Sequence, residues 1–442
     1  ELGNAYVYLR NLEHRLQYLD DKQTQALPAG EEDRALIAAA MNAPDYATML
    51  RELDTHRAAV TRHFEGIFAD SRGDEHPLAA VWHGAGDAQL AGKLRAAGFT
   101  EPEQALAAIA ALRNSSRVRQ MPETSHARLA RLVPLIVEQC AQLAGPDAAL
   151  ERMLRLVESI CRRESYLALM LQYPQTIARS AAIAAASPWA AEYLARHPIL
   201  LDELLDARNL HSEPDWPRLE SMLARQLADG DGDRERQMDT LRHFKHAQTM
   251  HLLAQDLGGE LTLERLSDHL SALADLILNA TLRLTWKDLA TRHCEAPRFI
   301  IVAYGKLGGK ELGYASDLDL IFLHQDDAPE AAVNYARLAQ RMNSALSSVT
   351  PAGVLYETDL RLRPDGASGL LVSPIEGFAS YQSEHAWVWE HQALTRARYV
   401  AGDPALGAAF EKVRAEILQR KRDLQKRSEE HTSELQSLAY LV

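Results

Sequence analysis

The run Phe299-Ile300-Ile301-Val302-Ala303 constrains this chain more than any other segment. It is fully apolar, rich in β-branched residues and follows closely on Pro297, so it predicts a short buried strand. A second run, Leu318 to Leu323, is interrupted only by Asp319. Asn334 to Val349 returns to helical spacing, with Leu338, Met342, Leu346 and Val349 on one side, and Val354 to Leu362 then alternates as a strand does. Strand, glycine-rich turn, strand, helix, strand is the order of a compact α/β unit, and it must pack on whatever precedes it.

What precedes it reads as helix. Tyr8, Leu9, Leu12, Leu16 and Leu19 recur at three- and four-residue steps between Ala5 and Leu19, and Asp20, Asp21 and Pro28 end the pattern. Leu150, Leu154, Val157 and Cys161 repeat on one helical face, leaving Arg152, Arg155, Glu158 and Arg162 for water. Ala105 to Leu112 is alanine-rich and a good helix former. The fold class is therefore α+β and mostly helical: helical bundle segments plus a small mixed sheet. A boundary falls near Asp70 to His76 and Gly84-Ala85-Gly86, which are polar and glycine-containing. Asp229-Gly230-Asp231-Gly232-Asp233 imitates a calcium loop, but Arg234 and Thr240 stand where an EF-hand needs Gly and Glu, so it reads as a solvated turn.

Composition narrows the functions. The 442 residues suffice for about three domains, and no apolar stretch reaches the roughly 18 residues of a membrane span. Net charge is -13, from 48 basic and 61 acidic residues, which repels phosphate backbones and argues against nucleic acid as a partner. Cys140, Cys161 and Cys294 are far apart, with no CxxC spacing, as suits a reducing cytoplasmic setting without a disulfide frame or structural zinc. The start at Glu1-Leu2-Gly3 without Met reads as an internal piece of a longer chain.

The chemistry concentrates in Tyr304 to Phe322, YGKLGGKELGYASDLDLIF. Side chains alternate along a strand, so Asp317 and Asp319 share one face about 6.5 to 7 Å apart while Leu318 and Leu320 enter the core. Paired carboxylates repel unless a cation lies between them, and hard oxygen ligands suit Mg2+, or Mn2+. Gly308-Gly309 lets backbone amides approach an anion such as a triphosphate. Lys306 either binds that phosphate or solvates the turn. Farther on, Glu357, Asp359, Arg361 and Arg363 share a face. If Asp359 lies beside the first pair, three aspartates can hold two metals, with Arg361 and Arg363 placed for phosphate oxygens.

On these residues the chain resembles the polymerase β-like nucleotidyltransferase superfamily. YGKLGGKELGYASDLDLIFLH is similar within it to the glutamine synthetase adenylyltransferase family, over nearly the whole chain to about Lys426. The resemblance implies a polymerase β-like core, with Asp317, Asp319 and Asp359 as catalytic metal ligands and Gly308, Gly309, Ser316, Lys306, Arg361 and Arg363 around ATP. It implies transfer of AMP to a tyrosine hydroxyl of glutamine synthetase, with two Mg2+ ions, regulation by a PII-type signal-transduction protein and glutamine as effector. Members carry an adenylyl-removing half and an adenylylating half. ELGYASDLDLIFLH, His197 to Asp206, Leu241 to Gln248 and Trp387 to Arg398 look like the second half, and Ala5 to Pro28 like the end of the first. The expected layout is 1–75 end of the helical domain of the removing half, 76–285 helical linker and helical part of the adenylylating half, 286–402 catalytic core and 403–426 start of a truncated helical domain. Residues 427–442 are expected to be non-native, because Arg427 to Ser437 resembles a translated sequencing adapter.

Two other functions use the same features: phosphorolytic removal of AMP from the same tyrosine, giving ADP, and a catalytically silent regulatory scaffold. Three smaller groups have bland readings beside functional ones. His243, His246 and His251 lack the spacing and carboxylate partner of a metal site and read as surface or core-edge residues. Trp387, Trp389, Glu390 and His391 either line the nucleotide pocket or pack a helix. Arg396 and Arg398 match the family and either touch phosphate or form a solvated face.

Overall fold

A computed structural model describes residues 2–20, 27–28, 30–68, 76–84, 88–205, 210 and 212–419. The tail after Gln419 lies outside them, as do 70–75 of the first expected joint and 85–86 of the second. The chain divides into two compact units, Glu1–Ala80 and Val81–Val442.

The first unit contains the helices Leu2–Asp20, Glu31–Ala40 and Tyr46–Phe68. The three- and four-residue spacing in the first helix does what it predicts: Leu12 and Leu16 are buried against Ile37, Met49 and Leu53. The Tyr8 hydroxyl donates to the Met49 carbonyl at 3.2 Å, and its ring stacks on His56.

In the second unit, Pro102, Pro146, Pro174 and Pro188 each open a helix, where the missing N–H costs nothing. The Pro146–Ile160 helix buries Leu150, Leu154 and Val157, as its stripe requires. The aspartate-rich segment is a turn between the Trp216–Asp229 and Arg234–Leu257 helices. Asp233 caps the second of these through the Arg236 amide, and Asp231 pairs with Lys287. Cys140, Cys161 and Cys294 are free thiols. Among the described residues no helix is long and apolar enough to cross a membrane.

The small mixed sheet holds β1 (Phe299–Ala303), β2 (Leu318–His324), β3 (Thr358–Asp359), β4 (Val372–Pro374) and β5 (Arg398–Gly402). β1 is central, antiparallel to both β2 and β5. The outer edge of β2 is shared: β3 pairs in parallel with its start and β4 with its end. β1 is buried on both faces. Phe299, Ile301 and Ala303 join a core with Leu273, Ile277, Leu338 and Met342, while Ile300 and Val302 join a second with Phe378, Leu394 and Phe410. The two cores belong to helices Leu263–Lys287 and Ala331–Ser347 on one side, and Ile375–Glu384, Val388–Thr395 and Pro404–Gln419 on the other.

One element is corrected. Alternation predicts a strand over Val354 to Leu362, but only Thr358 and Asp359 pair. The Asp359 carboxylate accepts the Arg361 amide two residues on at 2.8 Å, an Asx turn that carries the chain off the sheet.

Candidate active site

The end of β1 and the start of β2 build the site together. The Tyr304 amide donates to the Asp319 carbonyl at 2.8 Å, and Gly305 then turns the chain with φ +53 into a single helical turn, Gly305–Gly308. A Cβ on Gly305 would lie 2.0 Å from Oδ2 of Asp319, so only glycine fits beneath that carboxylate. The chain returns through Gly313 to Ser316, where the Ser316 Oγ accepts the Gly313 amide at 3.0 Å. Asp317 follows, one residue before the strand rather than in it.

The parallel register sets Asp319 directly beside Asp359. One carboxylate oxygen each from Asp317, Asp319 and Asp359 lies within 4.8 Å of the others. Asp317 is exposed and the other two are half-buried. Burial, then the charges of Asp317 and Asp359, hold the Asp319 carboxyl above its usual pKa, and Arg361 and Lys306 only partly offset them. Asp359 shifts the other way because the Arg361 guanidinium bonds to both its oxygens, Nε at 2.9 Å from Oδ2 and 3.1 Å from Oδ1. Arg361 is thus the cation now serving the cluster. Three convergent carboxylates, one unwilling to ionise, form a hard donor set that fits a small divalent metal.

The remaining expected site residues take distinct places. Lys306 is exposed on the turn. Gly308 and Gly309 are revised: their amides are not open to an anion, since they donate to the carbonyls of Tyr304 and Gly305 at 2.8 and 3.0 Å. Gly308 is buried, and a Cβ there would meet the Arg396 carbonyl at 2.0 Å, so its smallness serves packing. Arg363 does not reach out for phosphate; it donates to the carbonyls of Leu360 and Gly369, bracing its own loop.

The open readings also resolve. Glu390 is buried, accepts the Trp387 amide and the Tyr381 hydroxyl, and closes the start of a helix, while Trp387 and Trp389 are exposed. Arg398 pairs with Asp275 at 2.7 and 2.9 Å and donates to the Leu307 carbonyl, tying β5 to the Gly305–Gly308 turn; Arg396 pairs with Glu311. His246 is buried between the Tyr193 hydroxyl and the Ala352 carbonyl, and His251 pairs with Glu203, so the three histidines form no metal group. A second group, His293, Cys294 and Asp326, also brings ligand atoms close. Its polar atoms are already engaged. Asp326 accepts from His293, Tyr335 and the Ala328 amide, which overcome burial and pull its pKa down to about 2, and Asn334 meets the other His293 nitrogen.

Sequence reasoning missed Gly305, the glycine closest to the carboxylates. Its signal was present, a lone glycine immediately after a buried strand.

Comparison with known proteins bears on the family of the chain. A family model described as glutamate-ammonia ligase adenylyltransferase matches residues 177–413. One described as PII-uridylyltransferase matches residues 1–68. A protein of Chromobacterium violaceum named bifunctional glutamine synthetase adenylyltransferase/adenylyl-removing enzyme is 52% identical over 96% of this chain and 48% of its own length. Proteins of the same name from Aromatoleum aromaticum and Nitrosomonas europaea are 55% and 50% identical, again over 96% of this chain and 45% and 47% of theirs. The chain spans about half the length of these relatives.

Proposed function

The chain belongs to the glutamate-ammonia ligase adenylyltransferase family, and from that premise we propose that it moves AMP from ATP to a tyrosine hydroxyl of glutamine synthetase. The observation that carries the proposal is the β2–β3 register, which sets Asp359 beside Asp319 and brings the oxygens of Asp317, Asp319 and Asp359 within 4.8 Å.

Asp317, Asp319 and Asp359 would hold two Mg2+ ions, or Mn2+ in their place, which would supply a lowered pKa to the attacking hydroxyl and charge neutralisation to the departing pyrophosphate. The tyrosine oxygen attacks the α-phosphorus as the bond to pyrophosphate breaks, and the hydroxyl proton leaves to solvent. Lys306 stands exposed on the turn under the triphosphate, and Ser316, whose oxygen already accepts the Gly313 amide, retains its hydroxyl proton for a phosphate oxygen. Gly308 and Gly309 give that turn its shape. Arg361, whose guanidinium now lies on Asp359 beside the site, would serve phosphate oxygens once that carboxylate is otherwise engaged. Arg363 acts at one remove, holding the loop that carries Arg361.

The same reading assigns residues 1–75 to the end of an adenylyl-removing half, 76–285 to helical linker and the helical part of the adenylylating half, 286–402 to its catalytic core and 403–426 to a following helical domain. A PII-type protein and glutamine act as regulators, in the cytoplasm.

The test is transfer of label from α-labelled ATP to unmodified glutamine synthetase with magnesium, beside Asp317→Ala. Label with the parent protein alone supports the proposal. ADP released from adenylylated glutamine synthetase and phosphate, without forward transfer, makes phosphorolysis the function instead. Absence of any Mg-ATP binding by calorimetry leaves a silent scaffold.

A further inference from the structure

Side chains of one helix bond to both ligand-bearing segments at places other than the carboxylates of the site. Arg234–Leu257 packs against the turn that precedes β3 through successive residues of a single face. Arg242 is wholly buried and spends its guanidinium on backbone carbonyls. Its Nε donates to the Gly353 carbonyl at 2.7 Å, and Nη2 to those of Ser348 at 2.7 Å and Ala345 at 3.1 Å. Two of these acceptors lie at the C-terminal end of the Ala331–Ser347 helix, where the helix dipole is negative. One turn earlier, Asp239 accepts the Thr350 hydroxyl at 2.6 Å; one turn later, His246 meets the Ala352 carbonyl at 3.2 Å. Lys245 lies over the Tyr356 ring at 4.6 Å. Every residue from Ser348 to Gly353 that these bonds fix lies upstream of Asp359 on a short segment, which is tied again by the Tyr356 amide to the Leu346 carbonyl, the Glu357 carbonyl to the Leu318 amide and the Thr358 hydroxyl to Asn343.

The far end of the same helix reaches the other ligand segment. Asp256 accepts the Tyr314 hydroxyl at 2.9 Å, three residues before Asp317, and Trp189 packs on the Tyr314 ring. Arg242 and Asp256 are fourteen residues apart, about 21 Å along a rigid α-helix. A guanidinium buried among carbonyls is expensive, and the nearby charge of Asp239 offsets only part of the desolvation. Here that expense secures a turn with no apolar core of its own, as expected where position matters more than burial.

We propose that the Arg234–Leu257 helix is the strut that sets the spacing of the metal-binding carboxylates, with Arg242 positioning Asp359 and Asp256 positioning Asp317 through Tyr314. This rests on the reading of Asp317, Asp319 and Asp359 as metal ligands. Loosening either end widens the cluster and weakens metal binding before it unfolds the protein.

The experiment is a titration of the full chain with Mn2+ in the absence of nucleotide, read by electron paramagnetic resonance, on Tyr314→Phe, Asp256→Ala and Arg242→Lys, with Asp317→Ala as control. Tyr314→Phe removes the donor and Asp256→Ala the acceptor of the same hydrogen bond. Each is expected to weaken Mn2+ binding by about tenfold, the lower end of the range for partners outside the ligand shell, while the thermal midpoint moves by less than about 4 °C. Arg242→Lys is expected to weaken it at least as much. Mn2+ affinity equal to the parent's in folded Tyr314→Phe and Asp256→Ala overturns the strut, whether or not Arg242→Lys folds. If the parent binds no Mn2+, or Asp317→Ala binds it equally, the metal reading itself has failed, and the strut with it.

Discussion

Replacing Gly305 with alanine separates the catalytic role of the glycine turn from its structural one. The residue stands at φ +53, where an L side chain costs about 1–2 kcal/mol. The new methyl would lie 2.0 Å from Oδ2 of Asp319 and 3.0 Å from its Cγ. Contact between carbon and oxygen is tolerable only from about 3.2 Å, so the carboxylate must recede by more than about 1 Å or rotate out of the cluster. A misplacement of that size costs on the order of a hundredfold in rate. The protein should therefore stay folded, weaker by about 1–2 kcal/mol in urea, while adenylyl transfer falls about a hundredfold.

Two neighbouring glycines supply the contrast. A Cβ on Gly308 meets two backbone carbonyls, Arg396 at 2.0 Å and Ala303 at 2.6 Å, and neither can move without parting β1 from the entry to β5. Gly308→Ala is expected to fail to fold. Gly309 has φ -79, and its Cβ meets a flexible Arg396 side chain at 3.0 Å, so Gly309→Ala should change stability by no more than about 0.5 kcal/mol. If Gly305→Ala keeps transfer within about threefold of the parent, the carboxylate it crowds is not working where the structure puts it.

Three further outcomes follow from the electrostatics. Asp319 has its pKa raised by burial and by Asp317 and Asp359, so its ionised form opposes folding. The penalty is absent below the unfolded carboxyl value of about 4 and grows as pH rises through the folded one. Asp319→Asn in chelator should then be more stable than the parent at neutral pH and lose that advantage in acid; urea midpoints showing it less stable at neutral pH contradict this. Arg361→Gln takes the guanidinium off both oxygens of Asp359 and leaves only the residue's own backbone amide on Oδ1, so Mn2+ without nucleotide should bind more tightly while KM for ATP rises, and weaker Mn2+ binding by calorimetry would count against the ion-pair argument. His246 and His197 stack at 3.8 Å; burial, followed by neighbouring positive charge, holds them down to about 2 and about 4. Their contribution is complete above about pH 6.5 and is lost as pH falls towards 4, so His246→Gln should flatten the thermal midpoint against pH in that interval; an unchanged slope rejects the buried neutral pair.

The parts of the site that sequence revealed are those set by local periodicity. Five apolar residues in succession made β1 a strand buried on both faces, and alternation along Leu318 to Leu323 put Asp319 on an edge beside Asp317. The partner was legible only as a conditional, because the register of Asp359 against Asp319 depends on a parallel pairing across some forty residues. The glycines misled for a related reason. Gly308 and Gly309 stand in the pattern of an anion loop, yet what makes Gly308 indispensable is a carbonyl from Arg396, 88 positions on. Arg361 and Arg363 share a face on paper, but the Asx turn at Asp359 ends the strand before either of them, and the two guanidinia go to different work.

That Asx turn has a further effect on the architecture. β3 and β4 occupy the same edge of β2, one at each end, so the chain between them must leave the sheet after Asp359 and rejoin it at Val372. The excursion is stiff. Asp365 is left-handed at φ 60, a Cβ on Gly369 would meet the Pro364 carbonyl at 1.9 Å, and Arg363 donates to the carbonyls of Leu360 and Gly369 from within the loop. A continuous third strand would have paired along the whole of β2 and left no loop beside the carboxylates. By surrendering that pairing after two residues, the fold brings a guanidinium to the cluster on a loop that is rigid at its base, with the Arg361 side chain 81% exposed and paired to Asp359. The element that alternation alone would have extended is the one whose early end brings Arg361 to the carboxylates.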